Sequence, residues 1–230
     1  MKETKTDKKE KARLTREKIL ESASRFFYQY GYSNTNFEQI AEDCGITKPL
    51  ITYHFGKKST LAGEVYRLSL AHFNNAFVEK VLQVMPEANA LACAMACAAS
   101  FVEYFHHDEN ACRFYLELMR FVSIEELGDL EHLYQSANTM LDKNFSKERV
   151  HLAYVASKYA LHGLIKHYLL DDTGCSEEEF MRFFSFAWLS LFEISMEVSE
   201  EYASLAEEIL DCVTIRHEEY FRIKVIAKKH

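Results

Sequence analysis

The chain holds 230 residues, 48% of them hydrophobic and 13% aromatic, with a formal charge of -8. That length fits one large domain, or a small one joined to a larger one, with ample chain for a core. Only 7 Gly and 2 Pro leave little turn material for a many-stranded fold, so long helices are the default; the net charge taken alone argues against a nucleic-acid partner.

Taken from the start, Met1 to Thr15 is charged and has no apolar h-region, so no secretory signal is expected. The segment from Lys2 through Lys18 has no apolar period before Leu14, and residues 1–14 read as a basic disordered arm. Two roles fit such an arm: following phosphates or a minor groove, or acting as a solvated tail. Residues 1–61 carry 12 Lys/Arg against 8 Asp/Glu, net +4, and the remaining 169 carry -12. A basic first quarter on an acidic body suggests two jobs in one chain. Charge alone fits a basic tail on an ordinary acidic protein equally well, because 8 of the 12 cations precede Ile19.

The pattern of residues 15–61 is more specific. Thr15 reads as an N-cap with Glu17 in the first turn, where the helix dipole favours an anion. Ile19, Leu20, Ala23, Phe26, Phe27 and Tyr30 recur at helical spacing until Gly31. Asn36 and Gln39 form a capping-box signature that opens a helix through Phe37, Ile40, Ala41 and Cys44, and Gly45 stops it with a left-handed turn. Thr47 caps the next helix, Pro49 in its first turn costs no hydrogen bond, and Gly56 closes it. Two short helices joined by a tight Gly turn, with small Ala41 at the crossing, meet the helix-turn-helix requirement. A plain helical hairpin inside a bundle satisfies the same pattern.

The whole run from Thr15 to Leu61 closely resembles the DNA-binding domain of the TetR family of transcriptional regulators. The resemblance lies in Ile19-Leu20 and Ala23 before Phe26-Phe27, the Tyr30-Gly31-Tyr32 corner, Thr35 and Ile40-Ala41. It continues in Gly45-Ile46-Thr47, Tyr53-His54-Phe55, and Lys58 with Leu61. It implies that the helix from about Lys48 to Phe55 is the recognition helix of an α-helical DNA reader. By that resemblance Thr47 contacts a phosphate, and Tyr53, His54 and Lys58 match positions that touch the DNA backbone. Lys48, the long cation at the helix front, is the candidate reader of guanine O6/N7, and Thr52 is suited to a thymine methyl or a phosphate. Structural roles compete: Thr47 as a cap only, Tyr53 as core, His54 as an internal hydrogen-bond partner. Leu50 is bulky where the family often has a small or polar residue, and Lys57-Lys58-Ser59-Thr60 departs from the usual small–Lys–acidic run.

From Ser59 the apolar residues keep helical spacing. A long connecting helix is expected to end near Pro86, followed by helices at about 88–107, Cys112–Val122 and about 129–145. The stretch Ala88 to Val102 is too short and too weakly apolar to span a bilayer. The family resemblance places an effector pocket in this body. Candidate wall residues are Phe101, Tyr104, Phe105, Phe114, Tyr115, Leu118, Phe121 and Tyr134, with Glu103 as a polar anchor; plain core packing, or a solvated stripe for Glu103, gives the same pattern. Cys93 and Cys97 sit four apart among alanines and read as packed thiols rather than a metal site. None of the six cysteines forms a C-x-x-C pair.

Arg149–Leu170 gathers Ala153, Ala156, Ala160 and Gly163, and the next helix opens on a Ser176–Glu179 capping box and is apolar on nearly two faces. Pairing these two helices across a twofold axis would make a four-helix dimer contact, and a fully buried helix of a monomer fits the same pattern. A final amphipathic helix is expected from Ser199 to Ala227. No nucleophile–base set or phosphate loop emerges, so no enzyme and no cofactor are expected.

Together these readings predict an all-α cytoplasmic homodimer with no membrane association. Residues 15–61 form the DNA-binding domain and 62–230 an effector-binding and dimerisation body. By resemblance it is a repressor that leaves a palindromic operator on binding a small apolar effector. One alternative is a DNA-binding assembly factor whose body binds a protein and no small ligand; another is a helical enzyme or carrier with an inert head.

Overall fold

The computed structural model describes residues 5–127, 131–171 and 173–228. The first four residues of the expected arm, and the expected start of a helix near 129, lie outside them.

Helix α1 runs unbroken from Lys5 to Tyr30, which corrects both the disordered arm and the N-cap at Thr15. Thr15 lies inside the helix, its hydroxyl donating to Lys11 O at 2.8 Å. The arm's charges alternate in sign at helical spacing: Arg13 pairs with Glu10 at 2.6 Å and with Glu17 at 2.5 Å. Opposite charges three and four residues apart support an exposed helix that lacks an apolar stripe.

Helices α2 (Phe37–Cys44) and α3 (Lys48–Phe55) form as the caps predict. Asn36 Oδ1 accepts from Gln39 N at 3.0 Å, and Gln39 Oε1 from Asn36 N at 2.7 Å. Gly45 is left-handed (φ 62), and the Ile46 N–H donates to Ala41 O at 2.9 Å. That arrangement satisfies helix-end carbonyls while the chain reverses. Thr47 holds the N-cap position of α3 in extended backbone but makes no side-chain capping bond.

The body contains α4 (Lys58–Val84), α5 (Ala90–His107) and α6 (Glu109–Phe121), then a 3-10 turn over Ile124–Leu127. It continues with α7 (Glu131–Met140), α8 (Lys147–Leu169), α9 (Glu177–Ser190) and α10 (Met196–Cys212). Asp108 opens α6 earlier than expected, its carboxylate accepting from Asn110 N and Ala111 N at 3.1 and 2.9 Å. Asp142 and Asn144, both at positive φ, follow α7 and keep it from reaching 145. The Ser176–Glu179 capping box forms as read.

The expected final helix is corrected. Past Cys212 the chain forms an antiparallel hairpin, β1 (Val213–His217) and β2 (Ile223–Ala227), pairing Val213 with Ala227 and His217 with Ile223. Here Val213, Ile223 and Val225 are buried while Thr214 and Lys224 face water. That is a period of two, carried by β-branched residues that suit a pleated, half-buried ribbon. The fold is otherwise all-α.

One buried cluster runs without a break from Ile19, Phe27 and Ile40 in the first two helices, through Phe77, Phe105 and Phe114, to Phe221 and Val225. A smaller cluster gathers Tyr134, Val150, Tyr154 and Phe192. The head therefore shares its core with the body.

Candidate nucleic-acid interface and effector region

Helix α3 buries only Ile51 and Phe55, so the rest of its short cylinder faces outward. Thr47, Lys48, Pro49, Thr52 and Tyr53 form an exposed strip, with Tyr53 81% exposed. A tyrosine this open is not core. His54 is half-buried, its ring edge-on to Tyr53 at 5.3 Å. The Thr52 hydroxyl donates to Lys48 O at 3.3 Å, and Leu50 is half-buried.

Lys48 reaches back to Glu38 on α2, Nζ to Oε1 2.5 Å, and the ammonium holds that carboxyl below its ordinary range. Both side chains are more than half exposed. Such a surface pair is weak, so the ammonium leaves it at little cost for a stronger acceptor.

Lys58 differs from the other five. Its ammonium turns inward, donating to Tyr32 O at 2.8 Å and Thr35 O at 2.9 Å, and sits 4.2 Å from the Tyr32 ring centre. Desolvation lowers its pKa, with the Glu117 charge opposing. Lys58 thus ties the first turn of α4 to the corner between α1 and α2, while the other five residues of the set lie on or beside α3.

The nine effector candidates divide as well. Phe101, Tyr104, Phe105, Phe114, Tyr115 and Leu118 are buried in the main core. Phe101 and Phe105 meet edge-on at 4.7 Å, and Phe105 lies 4.9 Å from Tyr115. Glu103 is exposed on the outer face of α5. Phe121 is 50% exposed and stacks on Tyr32 at 6.0 Å, and Tyr134 belongs to the second cluster. Cys93 and Cys97 are buried thiols whose pKa values rise on burial.

A polar contact within the aromatic layer was missed by sequence reasoning. The Tyr115 hydroxyl lies 2.8 Å from His162 Nδ1, and Tyr66 packs against both rings. Burial, with the Lys158 charge adding, pulls the imidazole down to about 4, so His162 is neutral at neutral pH. A lone histidine inside a helical stripe carries no signal of this pairing.

Sequence reasoning also missed the seam between head and body, which α6 builds. Arg113 Nη2 donates to Tyr28 O and Gln29 O at 2.8 and 2.9 Å, and Glu117 accepts from Ser33 N at 3.1 Å. Phe114 stacks on Phe27 at 5.4 Å. Further along, Glu126 pairs with Lys57, and Arg16 with Glu64. The opposite charges of Arg113 and Glu117, four apart on α6, were the one available hint.

A family model described as "Bacterial regulatory proteins, tetR family" matches residues 19–65. The HTH-type transcriptional regulator LmrA of Bacillus subtilis is 31% identical over 168 residues, 71% of this chain and 74% of that protein. The chain belongs to the TetR family. That is a family of transcriptional regulators, not of enzymes. The regulator AcrR of Shigella flexneri is 43% identical to this TetR-family chain over 61 residues, 26% of this chain. The chain spans only 28% of that relative's length. Among solved structures, RolR in complex with resorcinol aligns with a TM-score of 0.59 at 14% identity, covering 85% of this chain and 95% of RolR. At that identity the likeness concerns fold alone. Among the described residues no helix is long and apolar enough to cross a membrane.

Proposed function

We propose that this TetR-family chain is a homodimeric, cytoplasmic DNA-binding repressor that leaves a palindromic operator when its helical body takes up a small apolar effector. The reading divides the chain into a head over residues 15–61 and a body over 62–230. The observation that carries it is the open strip on α3, where Lys48, Thr52 and Tyr53 stand clear of the buried Ile51 and Phe55. In a helix-turn-helix reader such a strip enters the major groove, with Lys48 on base edges and Thr47, Tyr53 and His54 on phosphates. Lys58 is assigned to holding the head together rather than to touching DNA.

The seam on α6 supports ligand response. Phe114 and Tyr115 are neighbours on one helix: the first stacks on Phe27 of the head and the second faces His162 in the body. A ligand that wedges apart the aromatic layer displaces α6, and α6 carries Arg113 and Glu117 against the head. The ligand acts only through its different affinity for the two head arrangements. RolR, of like fold, holds the small aromatic resorcinol, which supports an effector of that size.

The test is selection of bound duplexes from a random pool, followed by binding at fixed salt. Lys48→Met is expected to weaken the selected site and relax specificity at one base pair by about 1–3 kcal/mol. Recovery of no preferred sequence, or a Lys48→Met/Tyr53→Ala variant with unchanged affinity, overturns the reading. A panel of small aromatic ligands then tests release, and equal operator affinity with and without a saturating ligand overturns the effector arm.

A further inference from the structure

The C-terminal hairpin helps to build a cleft on the body. A cleft of about 270 Å³ opens between α5, the end of α10 and β1, lined by Glu103, Tyr104, His107, Val213, His217 and Lys228. It is not part of the aromatic layer around His162: Glu103 and His107 lie on the exposed face of α5, and β1 forms the opposite wall.

Tyr104 supplies an aromatic wall here. It is only 3% exposed, yet its hydroxyl has no hydrogen-bond partner. That hydroxyl is itself sealed from solvent beside Asp108 and Tyr28, so Tyr104 lines the cleft through its ring. His217 stacks against the Tyr104 ring at 4.9 Å, and its Nδ1 lies 3.4 Å from the buried Asp108 carboxylate. That contact leaves the other ring nitrogen of His217 outside the Asp108 interaction.

The lining also fixes a ligand class. A carboxylate (Glu103) and an ammonium (Lys228) share one small cleft with two imidazoles, the Tyr104 ring and the apolar side chain of Val213. Neither a pure cation nor a pure anion satisfies both charges. The volume lies at or below the low end for small-molecule sites, which limits the guest to a few heavy atoms beyond its charged groups. We propose that this cleft binds a free amino acid as its zwitterion, the ammonium toward Glu103, the carboxylate toward Lys228 and the imidazoles, and the side chain against Val213. The proposal concerns binding at the body and does not depend on the DNA-release reading.

The experiment is calorimetric titration of the full chain, without DNA, against each common L-amino acid, with acetate and methylamine as single-charge probes. At least one amino acid is expected to bind saturably, one per chain, with both single-charge probes at least tenfold weaker. Glu103→Gln and Lys228→Met are each expected to weaken that binding at least tenfold; both side chains are exposed, so neither variant disturbs the core. Failure of every amino acid to bind, binding of acetate or methylamine as tight as the amino acid, or binding unchanged in either variant overturns the proposal.

Discussion

Two lysines of the head have opposite surroundings, and burial tells them apart. Lys48 stands in water with a loosely held partner; Lys58 is enclosed by two carbonyls and a ring. Losing Lys58 leaves those carbonyls short of a charged donor, which costs about 1.5–3 kcal/mol. Lys58→Met is therefore expected to lower the thermal midpoint of the head, and at a temperature where it remains folded, to keep the wild-type salt slope of DNA binding. Lys48→Met is expected to leave the midpoint unchanged and reduce the slope by about one. Calorimetry and binding over a salt series separate the two, and an unchanged midpoint in Lys58→Met sinks the assignment. His162 adds a pH signature. Its folded value of about 4 lies below the ordinary 6.5, so the unfolded chain takes up the proton first as pH falls. This group leaves stability intact above about 6.5, removes it progressively down to about 4, and removes no more below that. The full loss is on the order of 3 kcal/mol. His162→Gln, which still offers the Tyr115 hydroxyl a partner, is expected to flatten the fall between neutral pH and pH 5 in urea unfolding; a parallel fall in both proteins contradicts it.

At the scale of elements, close approach decides what a helix tolerates. Gly63 lies inside α4, where Ala is ordinarily better by about 1 kcal/mol. A Cβ there would run into the backbone carbonyl oxygen of Glu126 in the 3-10 turn. Gly63→Ala is accordingly expected to destabilise by about 1–3 kcal/mol despite the gain in helix propensity, a sign that thermal unfolding reads directly. The hairpin is anchored by Phe221, which packs on Tyr28 at 5.2 Å and Phe114 at 4.8 Å. Phe221→Ala should cost about 3–5 kcal/mol, and a loss under 1 kcal/mol means the hairpin is not part of the core. The head and most helices were legible in the sequence because caps and glycines act locally: Asn36 with Gln39, Gly45, and Ser176 with Glu179 need no distant partner. The hairpin was not, because Val213 with Ile215 and Ile223 with Val225 alternate over too few residues to stand out from the helical pattern before them, and the surface offered by α4 and α5 decides. The same holds for the site. The exposure of Tyr53 follows from the short buried stripe of α3, whereas the inward turn of Lys58 depends on carbonyls more than twenty residues back.

Across the whole molecule, apolar side chains left outside the core indicate where a second copy belongs. Leu152 and Tyr159 on α8 are 63% and 51% exposed, and Phe183 on α9 is 57% exposed. Ala156 and Ala160 lie exposed on the same helix as the first two, leaving room for close approach of another helix. Phe183→Glu is expected to yield folded monomers by sedimentation and to abolish tight binding to a two-half-site operator while leaving the head intact. A variant that stays dimeric moves the interface elsewhere. The charge of -8 also divides unevenly, +4 over residues 1–61 and -12 over the rest, so on the proposed reading DNA is expected to be attracted by the head and repelled by the body.

The hairpin has a temporal consequence. Its Phe221 closes over Tyr28, whose hydroxyl donates to Asp108 at 2.8 Å. A ribosome makes α1 to α3 first and delivers residues 213–227 far later, and N-terminal units fold while the rest is still being synthesised. The nascent head therefore forms with one flank of Tyr28 bare, and its coupling to the body is sealed only when the hairpin emerges. A chain stalled before residue 213 keeps the α6 contacts of Arg113, Phe114 and Glu117 with the head and lacks only this last one.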